Sequence, residues 1–201
     1  MNSLNLIALC CVMVVFGGLP LTSNAQLDPL FYVKTCPQLH TIVQDIIRNV
    51  TRQDPSMPPS LIRLHFHDCF VQGCDASVLL NKTTTIESEQ DALPNLNSLR
   101  GFNVVNRIKL AVDNACPNLV SCADILTLAA EKSSVMTGGP SWPVPLGRRD
   151  SLTANKALAN QTLPAPFLNL TELKSKFAAQ GLNTVDLVIL SKYNTRLYIY
   201  I

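Results

Sequence analysis

Apolar residues recur at helical spacing along most of this chain, and the pattern restricts it to a mostly helical fold. The first apolar stripe consists of Leu39, Ile42, Val43, Ile46, Ile47 and Val50. Further helices are predicted at 61–69, 98–115, 121–138, 170–180 and 184–190. Pro58 and Pro59 open the second helix, because a proline in the first turn lacks only an N–H that the helix does not use. The predicted fold class is all-α, with one domain.

Two stretches lack this periodicity and are predicted to be loops. Residues 71–97 are rich in Gly, Asp, Ser, Asn and Thr, and residues 140–167 are interrupted by prolines. Long loops in a compact domain are often functional, so binding or catalytic residues are expected there.

Composition sets the broad class of protein. The chain has 201 residues, of which 47% are hydrophobic and 15% charged, and its formal net charge is +2. This is enough apolar material for one buried core, and it excludes a disordered or collagen-like chain. Because its 16 Lys and Arg residues form no basic stripe, nucleic acid is not an expected partner.

Residues 1–25 predict a signal peptide. The apolar run at 6–16 is 11 residues long, whereas a membrane span needs about 20. Ser23 and Ala25 are small residues at the two positions that a signal peptidase reads, so cleavage is expected after Ala25. A buried N-terminal helix is the alternative. The remaining chain is expected to be secreted, with no attachment to a membrane.

The cysteine count is odd once this segment is removed. Loss of Cys10 and Cys11 leaves Cys36, Cys69, Cys74, Cys116 and Cys122. In an oxidising compartment these should pair, so one of the five has no partner. Four Asn-Xaa-Ser/Thr sequons also fit secretion, at Asn49, Asn81, Asn160 and Asn169.

The segment 63–70 is dense in reactive side chains. Arg63 and His67 are four residues apart, so they share one face of a helix. His67 could take a proton from a bound oxygen species while Arg63 stabilises the negative charge that develops. Two alternatives stay open at this point: a helix with a stray imidazole, and a zinc site. His65 and His67 point in different directions on a helix, which disfavours zinc.

The next segment carries oxygen ligands of the kind that calcium prefers. Asp68, Asp75 and Ser77 offer side-chain oxygens, and Val71 and Gly73 could offer carbonyls. Cys69 and Cys74 are close enough in sequence for a local disulfide that would hold these oxygens in place.

At this point the residues between 26 and 191 resemble the secreted plant (class III) haem peroxidases. The resemblance is carried by several motifs in the same order along the chain: 63–70 (Arg-Leu-His-Phe-His-Asp-Cys-Phe), 73–77 (Gly-Cys-Asp-Ala-Ser), 120–124 (Val-Ser-Cys-Ala-Asp), 139–142 (Gly-Pro-Ser-Trp), 146–150 (Leu-Gly-Arg-Arg-Asp) and 163–167 (Leu-Pro-Ala-Pro-Phe). It implies the all-α peroxidase fold, haem b and calcium as cofactors, and secretion to the cell wall, apoplast or vacuole.

The resemblance also implies roles for individual residues. His67 would be the distal acid/base toward hydrogen peroxide, Arg63 would assist O–O cleavage, and Asn95 would keep the imidazole basic. Pro164 would line the channel for phenolic or other small aromatic donors. The calcium ligands would be Asp68, Val71, Gly73, Asp75 and Ser77, supported by Glu89. The disulfides would be Cys36–Cys116 and Cys69–Cys74, Asp124 and Arg148 would form a buried ion pair, and the protein would be a monomer.

The sequence departs from this family near its end. The family has a histidine after the segment 186–191 as axial ligand of the haem iron, but Asn194 stands at that position and no histidine follows His67. Residues 192–201 show no resemblance, and the family partner of Cys122 is absent. We therefore expect a C-terminally truncated peroxidase sequence that holds haem poorly. The alternative function is a truncated, non-catalytic secreted glycoprotein.

Overall fold

A computed structural model of the chain describes residues 26–198, and for 192–198 it describes the backbone only. This part of the chain is all-α, as predicted. Its seven α-helices are α1 (Leu39–Gln53), α2 (Met57–Cys69), α3 (Phe102–Ala115), α4 (Cys122–Met136), α5 (Lys156–Thr162), α6 (Leu170–Ala179) and α7 (Thr184–Tyr198). The predicted signal peptide and its cleavage site lie outside the described residues. No helix within 26–198 combines the length and the apolar character needed to cross a bilayer.

Helix α4 forms the centre of the fold. It contacts α1, α2 and α3, and eleven of its residues are buried. A helix that is buried on most sides must be apolar or small on most sides, as α4 is. Ser121 begins it as predicted, because the Ser121 hydroxyl accepts a hydrogen bond from the Asp124 amide at 3.2 Å. The buried leucines and isoleucines of α1 to α4 therefore form one core.

Helix α2 begins four residues earlier than predicted. It starts at Met57, and Pro58 and Pro59 lie inside its first turn, which confirms that they open the helix. Proline is tolerated there because the first N–H groups of a helix have no acceptor within the helix. The last two turns of α2 carry Arg63 and His67.

The prediction of a loop over 140–167 is wrong in one part. Helix α5 occupies 156–162, capped by the Asn155 side chain, which accepts from the Leu158 amide at 2.9 Å. With seven residues, α5 is too short to show an apolar period. Helix α7 also extends beyond the predicted end at 190, and its backbone stays helical to Tyr198.

A second apolar cluster lies where α2, α5, α6 and α7 meet. Its buried members are Phe70, Val71, Ala92, Ala159, Leu163, Phe177 and Leu187. The rings of Phe66, Phe70 and Phe177 contact one another, with the centroids of Phe66 and Phe70 4.2 Å apart. This cluster supports the end of α2 that carries the reactive side chains.

One disulfide and one buried ion pair tie distant segments together, and a second disulfide closes a local loop. Cys36 bonds to Cys116, and Cys69 bonds to Cys74, which are the pairs that the resemblance implies. The Arg148 guanidinium lies 3.1 Å from the Asp124 carboxylate, which is fully buried. The same carboxylate accepts hydrogen bonds from the Tyr32 hydroxyl at 2.9 Å and from the Gly147 amide at 2.7 Å.

Candidate functional site

Arg63 and His67 line one wall of a cavity of about 580 Å³. Helical spacing places both side chains on the same face of α2, as predicted. The cavity is also lined by Pro164, from the segment that follows α5, and by Phe177 of α6. The structure thus brings Arg63, His67 and Pro164 to one cavity.

The imidazole of His67 has a defined tautomer. Its Nδ1 lies 2.6 Å from Asn95 Oδ1, and a carbonyl oxygen can only accept, so Nδ1 carries the proton. The lone pair of Nε2 then accepts from Arg63 Nε at 3.2 Å. Burial and, after it, the Arg63 charge lower the pKa of His67 to about 4, against a smaller opposing effect of the Asn95 hydrogen bond. His67 is therefore a neutral base near neutral pH.

Asn95 is itself held in one orientation. Its Nδ2 donates to the Glu89 carbonyl at 2.8 Å, which fixes Oδ1 toward the imidazole. The Glu89 carboxylate accepts from the Asn155 amide at 2.9 Å. Glu89 is fully buried, and this burial raises its pKa. Glu89 thus supports Asn95 through its backbone carbonyl.

Arg63 is held by groups that the sequence did not identify. Its Nη1 donates to the Ser98 carbonyl at 3.1 Å, and its Nη2 donates to the Ser98 hydroxyl at 3.1 Å and to the Pro94 carbonyl at 3.4 Å. These acceptors lie 31 and 35 residues from Arg63, so no local pattern could indicate them. Asn95, between them, holds His67. A single short segment therefore orients both side chains.

The carboxylates of the expected calcium loop lie close to one another, and Asp68 is fully buried while Asp75 is half-buried. Asp68 Oδ2 accepts from the Ala76 amide at 3.0 Å. Burial, opposed by the hydrogen bond from the Ala76 amide and reinforced by the Asp75 and Glu89 charges, raises the pKa of Asp68 to about 7. Among the side chains that the structure describes, at residues 26–191, no lysine or arginine forms an ion pair with Asp68, Asp75 or Glu89. A bound cation would stabilise such a group of carboxylates.

Two buried oxygens at this place make no hydrogen bond with any described residue. They are Ser77 Oγ and Glu89 Oε2. The Ser77 hydroxyl is nevertheless near enough to Glu89 to oppose the rise in the pKa of that carboxyl. Buried oxygens without a partner are costly unless a ligand satisfies them, so the donor set fits a hard cation such as calcium.

The carbonyl ligands suggested by the sequence lie in the same loop. Val71 is buried, and Gly73 has a φ of 102°, a conformation that favours glycine. The Gly73 carbonyl accepts from the Asp75 amide at 2.9 Å. The assignment of Val71 and Gly73 as ligands stays a prediction.

His65 faces a different cavity from His67. This second cavity has a volume of about 350 Å³, and its wall is mostly apolar, with Phe66, Trp142 and Leu190 among its residues. The His65 ring nitrogens lie 3.6 Å from Cys69 Sγ, but that sulfur is bonded to Cys74. A zinc site would need free thiolates and imidazoles that face one another. Because Cys69 and Cys74 are bonded and His65 and His67 face different cavities, the structure does not support the zinc alternative.

We expect the pH dependence of stability to report on His65. Burial, followed by the Arg148 charge, lowers the pKa of His65 from 6.5 to about 4. Between these values the unfolded chain takes up a proton that the folded chain does not, so stability falls as the pH falls. Urea unfolding should show that the free energy of unfolding of His65→Leu, relative to that of the wild type, is greater at pH 4.5 than at pH 7. An equal difference at both pH values would contradict the assignment.

Cys122 and Asn194 are two residues at which the sequence departs from the family pattern. Cys122 is a free thiol, and burial, followed by the Asp150 charge, raises its pKa to about 11. Asn194 lies on the backbone of α7, and its side chain is outside the described part.

Comparison with known proteins gives a consistent match. The family model "Peroxidase" matches residues 43–195. A peroxidase of Armoracia rusticana is 60% identical over 174 residues, which is 86% of this chain and 52% of that protein. Peroxidase 22 of Arabidopsis thaliana is 59% identical over 174 residues, 86% of this chain and 50% of that protein. Peroxidase 15 of Ipomoea batatas is 55% identical over 191 residues, 94% of this chain and 58% of that protein. The chain spans about half the length of the curated relatives it matches.

Proposed function

The chain belongs to the peroxidase family, and on that premise we propose that Arg63 and His67 serve the reduction of hydrogen peroxide coupled to oxidation of small aromatic donors. The observation that carries the proposal is the pair of hydrogen bonds that links Arg63 to His67 and His67 to Asn95 along one cavity wall. The donor class, phenols and related aromatics, follows from the resemblance and from the apolar wall around Pro164.

His67 would act as the base and then as the acid. Nε2 is the ring nitrogen that carries no proton, and its lone pair accepts from Arg63 Nε at the cavity wall. Hydrogen peroxide would replace Arg63 Nε as the donor to this lone pair. It would take the proton from one oxygen of hydrogen peroxide and give it to the other, which then leaves as water. The Asn95 carbonyl stabilises the imidazolium formed in between, because it accepts from Nδ1.

Arg63 would stabilise the negative charge that develops when the O–O bond breaks. Its guanidinium is oriented before the reaction by Ser98 and Pro94, so little reorganisation is needed when the charge appears. Haem b, when bound, would supply the iron that reduces the peroxide and accepts single electrons from donors.

The residues of the larger cavity fit one face of a haem. Apolar side chains such as Phe66 and Phe177 form a wall, and His67 and Arg63 project from it as proton-transfer and charge-stabilising groups. The resemblance places Asn194 where the family has the histidine that would hold the haem iron, and an amide would be a poor ligand for iron. The proposal for the chain's own residues therefore concerns the face that carries His67.

The proposal is tested by adding haem and calcium to the purified chain. On this proposal the chain, with haem in excess because Asn194 makes its retention weak, gives a Soret band and oxidises guaiacol with hydrogen peroxide. Haem uptake without turnover, or no uptake at all, would contradict it.

A second candidate is a non-catalytic secreted glycoprotein, and Asn194 at the expected axial position favours it. This candidate predicts calcium binding and occupied sequons without guaiacol oxidation. For both candidates we propose secretion, which the two disulfides support because such bonds persist in oxidising compartments.

We expect calcium to stabilise the folded chain. At a concentration 100 times its Kd, a ligand that binds only the folded state adds about 2.7 kcal/mol. For a chain of this size that corresponds to about 5–10 °C in Tm. Thermal unfolding with calcium and with EDTA should show this shift.

The matched variants are Asp75→Ala and Asp91→Ala. The first removes a proposed ligand, and the shift should shrink or vanish. The second removes an acidic side chain that pairs with Lys82 at 3.6 Å and is 36% exposed, and the shift should persist. If calcium leaves the Tm of the wild type unchanged, the proposed calcium site is ruled out.

A further inference from the structure

One side chain of helix α5, that of Asn160, is hydrogen-bonded to the segment 93–98. That segment orients Arg63 and His67. The backbone N–H of Leu93 donates to Asn160 Oδ1 at 2.8 Å, across 67 residues of sequence. Asn160 is exposed on α5, and the proposed mechanism does not use it.

The segment 93–98 supplies hydrogen bonds that orient both Arg63 and His67 from outside α2. Asn95 holds the imidazole, and Pro94 and Ser98 hold the guanidinium. The Leu93 amide therefore lies one residue from the first of these groups. A displacement of the backbone at Leu93 would be passed directly to the acceptors of both side chains.

Packing does little to hold this end of the segment. Leu93 is 82% exposed, so its side chain is not anchored by the core. Upstream, Ala92 is fully buried beside Ala159, and the Glu89 carboxylate accepts from the Asn155 amide. These contacts attach the chain up to Ala92 to α5 and to the residue before it. The hydrogen bond from Leu93 to Asn160 extends the attachment by one residue, to the edge of the cavity.

We propose that Asn160 is a positioning residue for Arg63 and His67, acting through the Leu93 amide and the segment 93–98. The inference deepens the proposed function and rests on it for the roles of the pair. The side chain of Asn160 acts on the pair only through this backbone. Its carbonyl oxygen holds the start of the segment at Leu93, and the Ala92 carbonyl, which accepts from the Asn95 and Leu96 amides, holds the next turn. The segment in turn sets the directions of the Nε2 lone pair and the guanidinium.

The same asparagine begins a sequon, Asn160-Gln161-Thr162. A glycan attaches to Nδ2, whereas the anchor uses Oδ1, so the two uses of the side chain are compatible. This separation provides a control, because Thr162→Ala removes the sequon and leaves the amide of Asn160 in place.

The experiment measures proton exchange by NMR on the full isotope-labelled chain, folded with both disulfides. In the wild type, the Leu93 amide and the His67 Nδ1 proton should both exchange slowly. Asn160→Ala should speed their exchange by about 2–12-fold, the effect of losing one hydrogen bond of typical net strength, and leave the amides of the buried helix α4 unchanged. Asn160→Asp keeps an acceptor oxygen, so its exchange should stay close to that of the wild type.

Two controls and three outcomes decide the inference. Thr162→Ala and Asn49→Ala, a sequon asparagine on α1, should match the wild type. The inference is overturned if the Leu93 amide of the wild type exchanges freely, if Asn160→Ala leaves the His67 Nδ1 proton unchanged, or if it speeds all amides equally. No step needs turnover, so a wild type that fails to oxidise guaiacol would overturn the proposed function and not this result.

Discussion

Replacing His67 with alanine should slow the reaction with hydrogen peroxide by about 10²–10⁴-fold, the range found when a positioned general acid–base is removed. No other described group at the cavity is a neutral base with a lone pair beside Arg63. The measurement is the rate of guaiacol oxidation by the haem-loaded chain at limiting peroxide. Added imidazole should restore part of the rate, because it supplies the missing base.

The matched control for this variant is His40→Ala. His40 is an exposed residue of α1, away from both cavities, so its loss should leave the rate unchanged. A His67→Ala rate close to that of the wild type would show that the proton is moved by another group.

The largest effect on stability is expected from Asp124→Ala. The carboxylate is fully buried and accepts from Tyr32, Gly147 and Arg148, so its removal leaves a largely buried guanidinium and a buried hydroxyl without their acceptor. Breaking a buried pair in this way costs about 3–5 kcal/mol. Urea unfolding should show a lower midpoint with a similar slope.

An exposed ion pair provides the comparison for Asp124. Arg48 and Asp45 lie 2.6 Å apart on α1, with 41% and 59% of their side chains exposed. Asp45→Ala should cost less than about 1 kcal/mol, because water screens such pairs. Equal costs for the two variants would show that Asp124 is less important than its contacts indicate.

The parts of the site that the sequence predicted are local in the chain. Helical spacing alone places Arg63 and His67 on one face, and the proximity of Asp68 to Asp75 and Ser77 indicates a cation loop. The parts that it missed depend on tertiary contacts. Ser98 and Pro94 meet Arg63 only because of the way the loop folds back, and Asn160 meets Leu93 only because α5 exists. That helix was missed since seven residues give no measurable period.

The fold-level prediction succeeded for a related reason. The stripe on α1 and the run of apolar and small residues on α4 repeat over about four turns each, long enough to be distinguished from strands. The predicted ends of the helices were less accurate, as the early start of α2 shows. Whether a proline precedes a helix or lies in its first turn changes the start by several residues without changing the pattern.

The Cys36–Cys116 bond has a consequence for resistance to proteases. It closes a loop with a sequence separation of 80, and that loop contains Arg63, His67 and Asn95. A single cut in the largely exposed stretch 81–87 would leave both pieces covalently attached, because one cysteine lies on each side. Tethered pieces meet at an effective concentration in roughly the millimolar range, so a nicked molecule could re-form its contacts where two separate fragments would diffuse apart.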